Sequence, residues 1–241
     1  MAEESITIPT PDGRADGYLY RPAGQGPWPG VALFMDGGGL RRALREMAAR
    51  LAESGYVVLL PNLFYRDGAI RDLDAVKDRP RMNIYAANIM KNGGGPKDAG
   101  AYLSFLTAHP SVKPGKLGCT GYCMGGYFTL MTAGHFPERL GAAASFHGAH
   151  VATDAPDSPH RLAHAMRGLS VYVGVAEIDP HLAPGETDRL RGALEGAAVN
   201  HRMELYKGVE HGFTIPHQAP YNKDASERHW DALSGLLKEA L

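Results

Sequence analysis

The chain of 241 residues has two cysteines, two tryptophans, almost no excess of charge and no long apolar run. Each shortage excludes a class of protein. Cys119 and Cys123 cannot build a disulfide framework, and in a reducing compartment both are expected as free thiols. Lys plus Arg at 25 against Asp plus Glu at 26 leaves a net charge of −1, without the basic footprint of a nucleic-acid binder or of a protein held on anionic lipid. The longest uncharged stretch, Leu117 to Pro137, contains five Gly, three Thr and two Tyr, so it reads as core rather than as a membrane span. The start, Met1 to Ser5, is acidic and lacks the basic and apolar regions of a signal peptide, which points to the cytoplasm. Neither glycine-rich phosphate fingerprint occurs, so no nucleotide cofactor is expected. Among eleven histidines the close pairs are His147/His150 and His160/His164. The second could face a metal from one side of a helix, but it lacks the Glu of a zincin motif and a neighbouring Cys, so no metal is expected.

Glycine is what the chain has in excess: 30 residues, against a usual share of roughly 7%. These glycines follow no short period, which assigns them to turns, caps and close backbone approaches. Ser5–Pro9 and Asp16–Arg21 read as an antiparallel pair joined at Pro11, Asp12 and Gly13. Gly30–Met35 and Tyr56–Leu60 are apolar runs suited to strands buried on both faces. Leu44, Met47, Ala48 and Leu51 form a helical stripe within Arg42–Ser54. Asn62 to Asn92 is mixed and reads as an excursion over the substrate, and Gly93, Gly94, Gly95 and Pro96 reset the chain before a helix at Lys97–Ala108. Strands at Lys116–Gly121, Ala142–Phe146, Val171–Ala176 and Arg202–Tyr206 follow. Helices are expected at Met124–Phe136, Thr187–Gly196 and Asp224–Leu241. This rhythm predicts a single α/β domain over residues 1–241, with a mostly parallel central sheet and helices on both faces.

Ligands of such sheets sit at the carboxyl ends of strands. Gly121, Tyr122, Cys123, Met124, Gly125 and Gly126 lie between a strand and a helix, with glycines two before and two after the central residue. A sharp strand-to-helix turn needs that spacing, and it presents Cys123 at a helix N-terminus, where the macrodipole favours a thiolate. Cys119, inside the strand, has no such context and reads as packing. A base and an acid are expected downstream, acid before histidine. Asp179 and His211 each follow a strand in that order, with Glu177 and Glu210 as rival acids. Oxyanion donors are expected from the amides of Met124 and of Gly37, the latter in the run Asp36, Gly37, Gly38, Gly39. Asp36 could also accept a hydrogen bond from the thiol. His147 could reach the pocket rim, though capping or packing suits it better.

These residues resemble the dienelactone hydrolase family, a branch of the α/β-hydrolases. The resemblance is carried by Gly-Tyr-Cys-Met-Gly-Gly at 121–126, Asp179, His-Gly-Phe at 211–213, the run 55–61 and the last helix, and it spans nearly the whole chain. It implies a Cys123–His211–Asp179 triad that opens an ester or lactone through a covalent acyl-enzyme, without a cofactor. It also implies an acidic partner for the resting thiol at Asp36, where the family typically has Glu, and a substrate-carboxylate group at Arg81 with Tyr85, for which Arg79 competes. The family's second carboxylate-binding arginine is replaced here by Ile215, which favours a different, less charged ester or lactone than dienelactone. The same thioester could instead pass to an amine or alcohol in an acyltransferase, or the chain could be a non-catalytic thiol-sensing module. The expected partner is a small ester or lactone, with no nucleic acid and no membrane; the sequence leaves monomer and dimer open.

Overall fold

The structure, a computed structural model, describes residues 1–68, 70, 72–74, 77–91 and 94–241. They form two compact units, residues 1–117 and 118–241. In the first unit, β1 (Ala2–Thr10) and β2 (Gly13–Arg21) pair antiparallel from Ala2 opposite Arg21 to Thr10 opposite Gly13, so the hairpin closes at the Pro-Asp-Gly turn. β2 also pairs antiparallel with β4 (Val57–Pro61), which runs parallel to β3 (Gly30–Phe34). Every residue of β3 and β4 is buried, as their unbroken apolar sequences require. Between them α1 (Arg42–Glu53) packs Leu44, Met47, Ala48 and Leu51 inward. Gly55, with φ of 101°, follows it in a left-handed conformation.

The stretch after β4 contains regular elements among its described residues. Residues 69, 71, 75, 76 and 92 lie outside the described residues. A 3₁₀ turn at Tyr65–Asp67 and a helix, α2 (Arg79–Lys91), occupy the rest of this stretch in part. Pro80 in the first turn of α2 was the available signal, since proline is preorganised for a helix start. The next helix, α3, starts earlier than its charged residues suggest, at Gly94–Ala108; Gly93 lies outside the described residues.

In the second unit the strands follow in the order β5 (Leu117–Tyr122), β6 (Leu140–Phe146), β7 (Ser170–Ile178) and β8 (Asn200–Glu210). The β6–β7 and β7–β8 pairs are parallel. α4 (Met124–His135) joins β5 to β6, α5 (Glu186–Gly196) joins β7 to β8, and α6 (Lys223–Ala240) ends the chain. This is the α/β rhythm read from the sequence, with element ends shifted by a few residues. Pro159–Met166 is a 3₁₀ segment. There, residues four apart do not share a face, and the ring nitrogens of His160 and His164 are turned to Ser158 and to the Arg161 carbonyl. Among the described residues no helix is long and apolar enough to cross a membrane.

Candidate active site

Cys123 lies between the end of β5 and the first residue of α4, with φ of 56° and ψ of −118°. A non-glycine residue in such a conformation costs about 1–3 kcal/mol and persists only where its surroundings over-determine it. Those surroundings are two close backbone approaches. A Cβ on Gly121 would lie 2.1 Å from the Gly125 carbonyl oxygen, and one on Gly126 would lie 2.7 Å from Ser145 Oγ and 2.9 Å from Gly148 Cα. Gly121→Ala is therefore expected to destabilise the fold by about 3 kcal/mol, because backbone rather than a flexible side chain must yield. Urea unfolding of the purified variant measures this, as a lowered midpoint or failure to fold.

The turn is also fastened by hydrogen bonds. The Cys123 N–H donates to the Phe146 carbonyl at 3.1 Å and to His147 Nδ1 at 3.2 Å, while the Cys123 carbonyl accepts the Gly126 N–H at 2.9 Å. Cys119, four residues earlier, is wholly buried in β5, and burial pushes its thiol pKa up. A buried neutral thiol is inert, so the two cysteines differ in kind.

His211 follows β8 and Asp179 follows β7, and the parallel pairing of these strands brings the two loops together. His211 Nδ1 lies 2.8 Å from Asp179 Oδ2, and the His211 N–H donates to the Ile178 carbonyl at 3.0 Å. The other Asp179 oxygen accepts the His181 N–H at 2.9 Å. Glu177 is engaged elsewhere, accepting the Gly208 N–H at 2.7 Å. His211 Nε2 is buried and makes no hydrogen bond of ordinary geometry, but the Cys123 side chain is close enough to act on it. Burial opposes charge on His211; the Asp179 hydrogen bond first, and then Cys123, outweigh it and push the pKa up to about 10. Imidazole rings flank His211 on two sides, His147 at 4.9 Å and His181 at 4.6 Å between centroids.

The glycine loop after β3 is shaped from within its own unit. Asp36 accepts the Gly38 N–H at 2.9 Å, its carbonyl accepts the Gly39 N–H at 3.2 Å, and its carboxylate is paired with the Arg41 guanidinium. The partner of this buried acid is thus an arginine that the sequence reading did not single out. Met82 of α2 leans on the same loop, since a Cβ on Gly37 would lie 3.0 Å from its methyl carbon. Arg81 and Tyr85 share a face of α2; Arg81 donates to Asp78 at 3.2 Å and to the Tyr85 hydroxyl at 3.3 Å, and its side chain is more than half exposed. Ile215, where the second arginine would stand, is buried. Among the described residues no group of three His, Cys, Asp or Glu side chains is placed to hold a metal.

Residues 15–241 match the model of the dienelactone hydrolase family. The chain belongs to that family. A Synechocystis protein given a provisional carboxymethylenebutenolidase name is 26% identical over 245 residues, covering 98% of this chain and 96% of its own. Among solved structures, a dienelactone hydrolase-like promiscuous phosphotriesterase from metagenomic libraries is 26% identical, with a TM-score of 0.81 and coverage of 100% and 99%. A Klebsiella pneumoniae structure at 23% identity and TM-score 0.84, covering 98% and 97%, shares the fold. As a member of the dienelactone hydrolase family this chain has an α/β-hydrolase fold and is a carboxylic-ester hydrolase acting on esters or lactones.

Proposed function

We propose that this dienelactone hydrolase-like enzyme cleaves its ester or lactone through a Cys123–His211–Asp179 triad. The observation that carries the reading is the part-buried 2.8 Å contact from Asp179 to His211 Nδ1, which leaves Nε2 as the nitrogen free to exchange a proton with the thiol of the strained elbow. With a pKa pushed up to about 10, His211 already carries the Cys123 proton when sulfur adds to the carbonyl carbon. The tetrahedral oxyanion is met by the Met124 amide at the start of α4 and, on the strength of the glycine motif, by the Gly37 amide. Collapse breaks the C–O bond, and the leaving alkoxide takes the proton from His211; in a lactone it stays attached as the other end of the opened chain. Water then adds to the thioester while His211 accepts its proton, and cleavage of the C–S bond returns that proton to sulfur and releases the acid. Asp179 keeps the imidazole in the tautomer this requires and stabilises the imidazolium.

Asp36, paired with Arg41 and capping Gly38, acts in this reading on the shape of the oxyanion loop. Arg81 and Tyr85 are the proposed substrate-side polar pair, and with Ile215 in place of a second arginine the preferred ester or lactone carries less negative charge than dienelactone. Rapid acid quench during turnover of an activated aryl ester is expected to trap protein heavier by one acyl group, on the peptide containing Cys123 and removable by hydroxylamine. A quenched enzyme that turns over the ester but never carries acyl on that peptide would overturn the covalent route.

A further inference from the structure

The residue that the triad leaves unexplained is His147. It follows β6 with φ of 39°, an uncommon conformation for a residue with a Cβ, and is 1% exposed. Its N–H donates to the Gly174 carbonyl of β7 at 2.8 Å, which fixes the turn. Its side chain then reaches in two directions. Nδ1 accepts the Cys123 backbone N–H at 3.2 Å, and Nε2 lies 2.7 Å from Thr214 Oγ1. The Phe146 carbonyl shares that N–H at 3.1 Å; with Nδ1 as an acceptor, the matching tautomer is the neutral ring that carries its proton on Nε2, toward Thr214. Thr214 is three residues beyond His211, on the same loop. The ring also lies edge-on to His211 at 4.9 Å and to Phe213 at 5.6 Å.

We propose that His147 is a positioning residue, a neutral imidazole brace that ties the backbone amide of the nucleophile to the loop carrying the base. Cys123 is held by its own strained backbone and His211 by a carboxylate from a different loop; the Nδ1 and Nε2 bonds of one rigid ring set the spacing between the two. A planar ring with one acceptor and one donor at fixed separation suits this task, because small displacements between reacting groups are costly in rate. The brace acts through the nucleophile's backbone amide and the base's loop, so its effect is expected on kcat rather than on KM.

This inference rests on the triad reading, and the experiment separates the two. Activated-ester kinetics and thermal unfolding are measured for Cys123→Ala, His147→Phe, His147→Asn and Thr214→Val. Phe fills the ring volume without either polar atom, and kcat is expected to fall roughly tenfold to hundredfold with KM changed by less than about twofold. Asn tolerates positive φ and places Oδ1 the same number of bonds from the backbone as Nδ1 but has no atom that reaches Thr214, so it keeps the inner end alone and its kcat is expected to lie between those of wild type and the Phe variant. Thr214→Val removes only the outer end of the brace and is expected to lower kcat by several-fold; this variant decides the matter if the Phe variant fails to fold. Wild-type kcat in His147→Phe or, should that variant not fold, in Thr214→Val overturns the brace, as does wild-type kcat in His147→Asn. Turnover retained in Cys123→Ala overturns the triad itself, whereas an inactive Cys123→Ala beside an unimpaired His147→Phe overturns the brace alone.

Discussion

Cys123→Ala is expected to lose on the order of 10⁴-fold or more in kcat on activated esters and lactones, because removal of a triad nucleophile leaves only what binding and oxyanion donors provide. The fold should be little affected. Alanine meets the same strain at φ of 56°, and the amide bonds to Phe146 and His147 come from the backbone. The matching observation on the native enzyme is alkylation stoichiometry. Iodoacetamide should modify one thiol per chain, at Cys123, while Cys119 stays unmodified until the protein unfolds, since it is fully buried and its thiol is pushed up. Loss of activity should track that single modification. Wild-type turnover in the alanine variant, or inactivation that follows Cys119 instead, would place the nucleophile elsewhere.

Asp179→Asn is expected to have the second largest effect, again on the order of 10⁴-fold in kcat, because an amide at this position orients the imidazole in the wrong tautomer and no longer stabilises its charge. It should also shift the pH profile. The His211 pKa stands at about 10, and the Asp179 hydrogen bond is the leading cause that raises it. In the native enzyme the imidazolium needed to protonate the leaving group is lost only as the pH rises through about 10. In the Asn variant that alkaline limb moves to lower pH. Stability follows the same sign. A histidine whose folded pKa exceeds the ordinary 6.5 contributes stability that is fully present below 6.5 and is lost as the pH rises toward 10. The native protein should therefore exceed the Asn variant in stability most at pH 5–6, and the gap should narrow on the alkaline side. Urea midpoints of both proteins across that range measure it, and a gap that widens with pH would contradict the assigned role of Asp179.

The sequence by itself determined those features that are local. Short unbroken apolar runs such as Gly30–Met35 and Tyr56–Leu60 suit strands buried on both faces, as β3 and β4 are, and the alternation of such runs with helical stripes points to an α/β architecture. The cysteine turn was legible for the same reason, since the clashes that demand glycine at 121 and 126 arise from the residues flanking the turn or from the strand that must pass beside it. α2 was half legible: Pro80 marks its start, but no clean apolar stripe distinguishes it from loop.

Contacts between residues far apart in sequence were decided only by tertiary structure. The sequence favours Asp179 as the acid but leaves Glu177 and Glu210 as rivals. The parallel pairing of β7 with β8 presents Asp179 to His211 and turns Glu177 to the Gly208 amide. Asp36 has Arg41 as its partner because the glycine loop folds back on itself, a conformation that no spacing rule encodes. His147 is the strongest case. Its partners, Cys123 and Thr214, lie 24 and 67 residues away, and a histidine after a strand carries no mark of such a role until the strands are assembled. Periodicity and turn chemistry act over a few residues, whereas a hydrogen bond across a sheet depends on register and twist accumulated over the whole unit.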